Sequence, residues 1–324
     1  MFLLIVSICK DEAKTIGEVL DRIPARISGV DTIEKWVIDD GSTDDTVKIA
    51  KKHGAKVISD GAHKKLAARF GEALELALSR GADVLVNVDG DLQFDPGEIP
   101  KLIDPIIKDE ADFVAADRFT DVKSGRRHRP KGMPLSKYMS NKLGAWVVGQ
   151  LSGQRFRDVT CGFRAYGRKA IISLNINTTY TYTQESFQVL AFKKLRIVAV
   201  PVSIKYYPGR KSRVVKSFLQ FLFGSAINIL RAFRDYAPLK FFGLLGLVLF
   251  IPGVFMGGFT LVHWLTTGAV TPYVTVGFIG LYLFSGGLML WALGLVADMF
   301  DRMLNNQEKI IERLKTETHD KKED

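Results

Sequence analysis

Two acidic runs stand where apolar segments end. Val37-Ile38-Asp39-Asp40-Gly41-Ser42-Thr43-Asp44-Asp45-Thr46 closes one, and Asn87-Val88-Asp89-Gly90-Asp91-Leu92-Gln93 closes another. In an extended segment, residues 89, 91 and 93 share a side. Two carboxylates and an amide oxygen there make a set of hard oxygen donors suited to Mg²⁺ or Mn²⁺. Gly90 lets a large anionic group approach the backbone. A hard cation so held would bridge a diphosphate and neutralise charge as a phosphate leaves. In the first run, Asp39 and Asp40 offer acceptors to a ribose or a nucleobase. Ser42 or Thr43 serves as a helix cap, a role that requires neither Asp39 nor Asp40.

Such residues need elements that end side by side. From residue 2 to about 120, apolar runs alternate with helical patterns. Strands are expected at 2–8, 35–39, 56–59, 84–89 and 113–116, and helices at 13–23, 44–53, 65–80 and 96–108. Ile16, Leu20 and Ile23 recur at helical spacing, as do Phe70, Leu74 and Leu78. This alternation implies βαβ units and an α/β fold with a doubly wound, mostly parallel sheet. Ligands of such sheets sit beyond the carboxyl ends of the strands, where both acidic runs fall. A second region, 143–204, reads as helices with short strands, ending in a strand at 197–204.

Charge is unevenly spread along the 324 residues, whose net is +10. Phe241–Ala297 holds no Asp, Glu, Lys or Arg in 57 residues; the tail from Asp298 is −2 and the first 240 residues are +12. This excludes a disordered or collagen-like chain and a simple soluble protein. The uncharged run divides at His263–Thr271 into two spans, near 241–262 and 272–297, each above the roughly 20 residues a helix needs. A hairpin returns the chain to the side it left, and the basic excess marks that side as cytoplasmic. Phe218–Tyr236 sets apolar residues among Lys216, Arg231 and Arg234, as an interfacial or a buried helix does. Cys9 and Cys161 are expected as reduced, buried thiols, and Phe2–Cys9 as a buried strand rather than a signal peptide. The expected boundaries are a catalytic domain over 1–213, an interfacial region over 214–238, two transmembrane helices over 239–297 and a charged helical tail over 298–324. That tail is solvated or self-associating, so a homo-oligomer is allowed.

With these motifs in place, the chain resembles the family-2 glycosyltransferases, enzymes that use a nucleotide-activated sugar and invert its anomeric centre. Asp89-Gly90-Asp91-Leu92-Gln93 followed by Asp95-Pro96 is most similar to the polyprenyl-phosphate sugar synthases, of the dolichol-phosphate mannose synthase and bactoprenol glucosyltransferase type. The resemblance covers roughly residues 2–215 and is supported by the C-terminal hairpin. It implies a GT-A, Rossmann-like sheet followed by interfacial helices and a two-helix transmembrane hairpin. It also implies that Asp39 and Asp40 hold the nucleoside, while Asp89, Asp91 and Gln93 serve the metal and the sugar diphosphate. Glu12 is in register with the family's Pro-x-x-Asn-Glu, although Ile8-Cys9-Lys10-Asp11 lacks the proline and asparagine. His63-Lys64-Lys65 replaces the family's Gly-Lys-Gly loop, leaving Lys64 and Lys65 to reach phosphate. Asp158 to Arg164 resembles the stretch near the acceptor site, Glu185 the acidic residue facing the sugar, and Gly209-Arg210-Lys211-Ser212-Arg213 the loop that closes on the diphosphate.

The acceptor side follows from charge. Residues 118–142 carry +7, including Arg118, Arg126, Arg127, Arg129 and Lys131, and residues 205–216 carry +5. Basic clusters suit nucleic acid, anionic headgroups or a phosphorylated substrate. Nucleic acid is the poorest match beside a membrane hairpin, and arginine forks fit a lipid phosphate. The expected partners are therefore a nucleotide sugar, a polyprenyl phosphate and the membrane, with no nucleic acid. The expected reaction is one in-line displacement by an already ionised phosphate. A hydroxyl acceptor would instead need a base, Asp158 or Glu185. Transfer to a glycan or lipid hydroxyl, and a non-catalytic scaffold that binds nucleotide sugar, are the alternatives.

Overall fold

The computed structural model describes residues 1–175, 182–206, 226–227, 229–231 and 233–320. Its sheet has seven strands: β1 (Phe2–Cys9), β2 (Thr32–Asp39), β3 (Lys56–Ile58), β4 (Val84–Asn87), β5 (Phe113–Asp117), β6 (Arg164–Gly167) and β7 (Ile197–Pro201). Their order is β3-β2-β1-β4-β6-β5-β7. Leu3 to Val6 and Val84 to Val86 are all but inaccessible, as expected of central strands covered on both faces. The helices between them are α1 (Ile16–Arg22), α2 (Thr46–Lys52), α3 (Leu66–Arg80) and, after a 3₁₀ turn at Pro96–Glu98, α4 (Ile99–Ile107). There follow α5 (Leu135–Ser152), α6 (Arg168–Ser173) and α7 (Thr183–Phe192).

β1 pairs in parallel with β2 on one side and β4 on the other. The chain winds outward through β3 and then returns by α3 to β4, so the strand order reverses between β1 and β4. That reversal opens a crevice at the carboxyl ends. Register places Cys9 opposite Asp39 and Val6 opposite Asn87. Beyond the strand end, the Val88 amide still donates to the Val6 carbonyl (3.0 Å), and Ser7 Oγ donates to the Val88 carbonyl (2.8 Å). Asp89 is thereby fixed to the centre of the sheet although it lies outside β4.

The sheet departs from the expected parallel pattern at β6, which runs antiparallel to both β4 and β5. Arg164 opens β6 opposite Asn87, at the carboxyl end of β4, and opposite Ala115, midway along β5. Beneath it, Phe70 of α3 stacks on Tyr182 at 3.8 Å and lies 5.2 Å from Tyr166 of β6. Helix α1 starts three residues later than expected, because the Glu12 carbonyl accepts from both Thr15 and Ile16 in a preceding turn.

The described residues divide into two compact units, one of residues 1–229 with the end of the last helix from Glu312, the other of residues 230–311. The second unit contains α8 (Pro238–Thr267) and most of α9 (Val274–Asp320). Both helices are long and apolar enough to cross a membrane. The break falls after Thr267, later than His263, and α9 continues unbroken past residue 298. Glycines bring α8 and α9 into backbone contact: a Cβ on Gly253 would lie 2.4 Å from the Phe284 nitrogen. Outward residues such as Phe255, Tyr282 and Met289 are about three-quarters exposed, a surface suited to acyl chains rather than water. Most of the expected interfacial region, 214–238, lies outside the described residues.

Phe70→Ala removes the ring that joins α3 to β6 and to Tyr182. Chemical denaturation of the full chain in detergent is expected to show a loss of about 3–5 kcal/mol.

Candidate active site

The carboxyl ends of β1, β2 and β4 bring Glu12, Asp39, Asp40, Asp89 and Asp91 to one crevice. Gly90 is required there, since a Cβ would lie 2.5 Å from Cys9 Sγ. Thr15 Oγ1 donates to the Gly90 carbonyl (2.7 Å) and to Glu12 Oε2 (3.2 Å), tying the turn after β1 to the Asp-Gly-Asp turn. Leu92 turns back at a φ of 57°, and the Gln93 amide donates to Asp91 Oδ1 (3.0 Å). On the far side, Gly162 presents its Cα to the Asp89 carboxylate: a Cβ would sit 2.9 Å from Oδ1.

Asp91 stands close enough to act on Asp89 through its charge. Burial, followed by the Asp91 charge, pushes the Asp89 carboxyl up to about 7, against the pull of Arg118 and Arg164. Two neighbouring carboxylates resist ionising together unless a cation joins them. Such a pair has the donor chemistry to share a divalent cation. Among the described residues, no group of three or more His, Cys, Asp or Glu stands close enough to hold a metal. A divalent cation would thus take further oxygens from Gln93, water and a ligand's phosphates. Mg²⁺ is commonly held this way, by one or two carboxylates with substrate phosphates.

Asp39 and Asp40 take different parts. Asp39 is buried and accepts from the Ser42 amide (3.1 Å) and from Ser59 Oγ (2.7 Å). Asp40 accepts from the backbone amides of Lys64 (2.7 Å) and Lys65 (3.1 Å), while its Oδ2 lies 2.7 Å from His63 Nδ1. Its carboxylate therefore shapes the 63–65 loop. The Lys64 ammonium turns to Asp60 (2.6 Å) and Glu72 (2.8 Å), and Lys65 takes a φ of 73° at the start of α3.

Arg69 organises this corner, and the sequence reading missed it. It is fully buried and donates to Asp40 (3.2 Å), Asp60 (2.5 Å), Glu72 (2.8 Å) and the Ala62 carbonyl (2.5 Å). A basic residue on an apolar helix face is its only sequence signal.

Two arginines expected at an acceptor phosphate are placed otherwise. Arg118 is buried and forks onto Asp158, with Nε to Oδ2 at 2.5 Å and Nη2 to Oδ1 at 2.8 Å, and also donates to Thr160 Oγ1 (2.6 Å). Burial opposes the Asp158 anion, yet Arg118 and Thr160 outweigh it and hold the carboxyl below its ordinary value. So paired, Asp158 is a poor base. Arg164 is fully buried, donating to the carbonyls of Cys161 (2.6 Å) and Val159 (3.0 Å), with its guanidinium 4.9 Å from the Phe187 ring. It braces the 159–163 loop against Asp89. Both departures have one cause: a count of basic residues does not distinguish surface charge from a buried, partnered guanidinium.

Arg126, Arg127, Arg129 and Lys131 are exposed, in a loop pinned by the Thr120–Arg127 bridge. Glu185 is half-buried in the first turn of α7. Just before it, the Tyr182 hydroxyl accepts from Asn87 Nδ2 (3.1 Å) at the end of β4. Arg210, Lys211, Ser212 and Arg213 lie outside the described residues.

Residues 4–173 match Glycosyl transferase family 2. The chain belongs to that family. It is 27% identical over 307 residues to "Glycosyltransferase AglJ" of Haloferax volcanii, covering 94% of this chain and 95% of that one. It is 29% identical over 190 residues to "UDP-N-acetylglucosamine--dolichyl-phosphate N-acetylglucosaminyltransferase" of Methanococcus voltae, covering 52% and 74%. The structure of glucosyl-3-phosphoglycerate synthase from Mycobacterium tuberculosis in complex with UDP has a TM-score of 0.54 at 20% identity, over 72% of this chain and 80% of that one. Other structures of that synthase contain Mn²⁺ and UDP-glucose. The fold of this family-2 glycosyltransferase is therefore GT-A, with an α/β sheet followed by helices.

Two substitutions in the glycosyltransferase separate brace from carboxylate pair. Asp158→Asn leaves the Arg118 guanidinium buried without its counter-ion, and thermal or chemical unfolding is expected to register a loss of about 3–5 kcal/mol. Asp89 behaves oppositely in metal-free protein. A carboxyl raised on folding contributes stability below its unfolded value, near 3.8, and loses it as pH rises through about 7. Asp89→Asn is therefore expected to raise the melting temperature of metal-free protein at pH 8, with the gain shrinking toward pH 4.

Proposed function

We propose that this glycosyltransferase moves a sugar from a UDP- or GDP-linked donor to a polyprenyl or dolichyl phosphate at the cytoplasmic membrane face, inverting the anomeric carbon. The observation that supports this reading is the Asp89-Gly90-Asp91 turn beyond β4 at the sheet's switch point, in a chain that also has two helices fit to span a membrane. The dolichyl-phosphate acceptor in the name of the Methanococcus voltae relative supports the acceptor class. The Mn²⁺ and UDP-glucose complexes of the Mycobacterium tuberculosis synthase support a divalent metal and a nucleotide-sugar donor.

The acceptor phosphate oxygen forms a bond to the anomeric carbon as the bond to the diphosphate oxygen breaks. The electron pair departs with the nucleoside diphosphate on the opposite face. The acceptor is already anionic near neutral pH, so no general base is needed. This agrees with an Asp158 held by Arg118. Catalysis rests on positioning and on charge stabilisation of the leaving group. Asp89, Asp91 and Gln93 would hold Mg²⁺ or Mn²⁺, which supplies Lewis-acid neutralisation of the departing diphosphate. Glu12 and Asp39 line the donor side, where Asp40 sets the backbone of Lys64 and Lys65. Arg210, Lys211 and Ser212, outside the described residues, are assigned to the diphosphate by the family resemblance alone. Glu185 is assigned to the sugar and Arg126, Arg127, Arg129 and Lys131 to the acceptor phosphate, a role that the sequence also gives Arg213, while Arg118 and Arg164 brace the site from behind. The catalytic domain spans 1–213, the interfacial region 214–238, the membrane hairpin 239–297 and the tail 298–324.

The test is purified protein with polyprenyl phosphate, a panel of nucleotide sugars and Mg²⁺ or Mn²⁺. Lipid-linked product is expected with phosphorylated lipid and not with the free alcohol, and chelation is expected to abolish it. Asp91→Asn is expected to lower transfer by about 10²-fold or more. Transfer to a glycan or a hydroxyl would overturn the acceptor assignment, and undiminished transfer by Asp91→Asn would overturn the metal assignment.

A further inference from the structure

Helix α5 is built backwards for a soluble domain. Its inward face is small and partly polar: Asn141, Ala145, Val148 and Gly149 are buried. Its outward face carries Leu135, Met139, Leu143 and Trp146, exposed by 59%, 55%, 55% and 61%. The spacing of four, four and three residues places these side chains on one stripe. Among the described residues before 207, the other large apolar side chain left exposed is Val122. Before residue 207 the stripe is thus the one cluster of large exposed apolar side chains among the described residues. A large side chain would not fit the inward face at Gly149, where a Cβ would already lie 2.6 Å from the Gln154 carbonyl. The helix accordingly keeps its bulky apolar residues outside.

The charge around the stripe selects what covers it. Residues 122–157 contain nine Lys and Arg and no Asp or Glu, and all nine are exposed. Lys131 precedes the helix, Lys142 edges the stripe, and Arg155 follows the turn that ends α5. A second copy meeting this face through a two-fold axis would set like charges against like. The chain's other polybasic stretch, 205–216, has the same sign and is no better matched. An apolar stripe rimmed by Lys and Arg complements a bilayer with acidic headgroups: acyl chains take the apolar residues and phosphates the basic rim. We propose that the outer face of α5 is a docking surface for an anionic lipid bilayer, separate from the two helices fit to span it. It would give the catalytic unit its own hold on the membrane, in addition to its covalent tether. The inference rests on α8 and α9 being spans, and is independent of the transferase chemistry.

Single cysteines read this surface in the full chain. The native Cys9 and Cys161 are buried and pushed up to about 12 by that burial, so a thiol-reactive fluorophore passes them by. Met139→Cys, Leu143→Cys, Phe255→Cys on α8 and Glu75→Cys on α3 are labelled separately. Each is reconstituted in vesicles of phosphatidylcholine with phosphatidylglycerol, some of it bearing spin-labelled acyl chains. The labels at 139 and 143 are expected to lose most of their emission to the acyl-chain quencher and little to aqueous iodide. The label at 255 is expected to behave likewise and that at 75 in the reverse sense. In vesicles of phosphatidylcholine alone, quenching at 139 and 143 is expected to fall while that at 255 persists. Iodide quenching at 139 and 143 with lipid quenching at 255 overturns the docking surface and leaves the spans intact. Absence of lipid quenching at 255 overturns the spans and the docking surface together. Undiminished quenching at 139 and 143 in neutral vesicles overturns the anionic assignment. Disulfide capture between two unlabelled copies of the Met139→Cys chain, with lipid quenching absent at 143, assigns the face to a second copy and overturns the bilayer.

Discussion

Two half-buried carboxylates just beyond the end of one strand set the terms for the rest of the catalytic unit. Asp89 and Asp91 follow β4 beside the seam where the sheet reverses its winding, and burial with the Asp91 charge makes ionisation of Asp89 costly. Much of the nearby structure opposes that cost or exploits it. Ser7 and Val6 fix Val88 so that Asp89 stays in place. Gly90 and Gly162 remove the side chains that would crowd the turn. Arg118 and Arg164 lend positive potential from behind without reaching the carboxylate as direct partners. In the proposed function, a cation arriving with a nucleotide diphosphate would complete this arrangement.

The basic residues of the catalytic unit fall into two populations with separate tasks. Arg69, Arg118 and Arg164 are buried and hold loops: Arg69 binds the Asp40–Asp60–Glu72 corner, Arg118 clasps Asp158, and Arg164 caps the carbonyls of the 159–163 loop. A buried guanidinium needs its carboxylates or carbonyls to offset lost hydration, so each serves as a local brace. The exposed group from Lys123 to Arg157 has no such internal partners in number and faces outward, where phosphates are available. Site and anchorage thus draw on the same residue types at different depths.

The sequence made the first half of the sheet legible because β1 to β5 are short apolar runs separated by amphipathic helices. It also disclosed both acidic turns as features of the strand ends, although not that Asp39 and Asp40 are engaged with Ser42, Ser59, the 63–65 loop and Arg69. It did not disclose β6, whose four residues Arg-Ala-Tyr-Gly carry no apolar run and owe their pairing to neighbours on both sides. Nor could it tell that Arg118 and Asp158, forty positions apart, consume one another. The stripe on α5 escaped for a related reason: apolar residues at helical spacing read as core, and only tertiary packing reveals which face is turned outward.

In the proposed function, Asp89, Asp91 and Gln93 supply part of a metal site and the donor's diphosphate supplies the remainder. Electron paramagnetic resonance of Mn²⁺ tests it directly, by following the loss of the free-ion signal as purified protein is added with and without uridine or guanosine diphosphate. The account predicts weak binding to protein alone, tight binding when protein and one of the diphosphates are both present, and loss of that tight binding in Asp91→Asn. Tight Mn²⁺ binding without any nucleotide, or binding unchanged by Asp91→Asn, would contradict it.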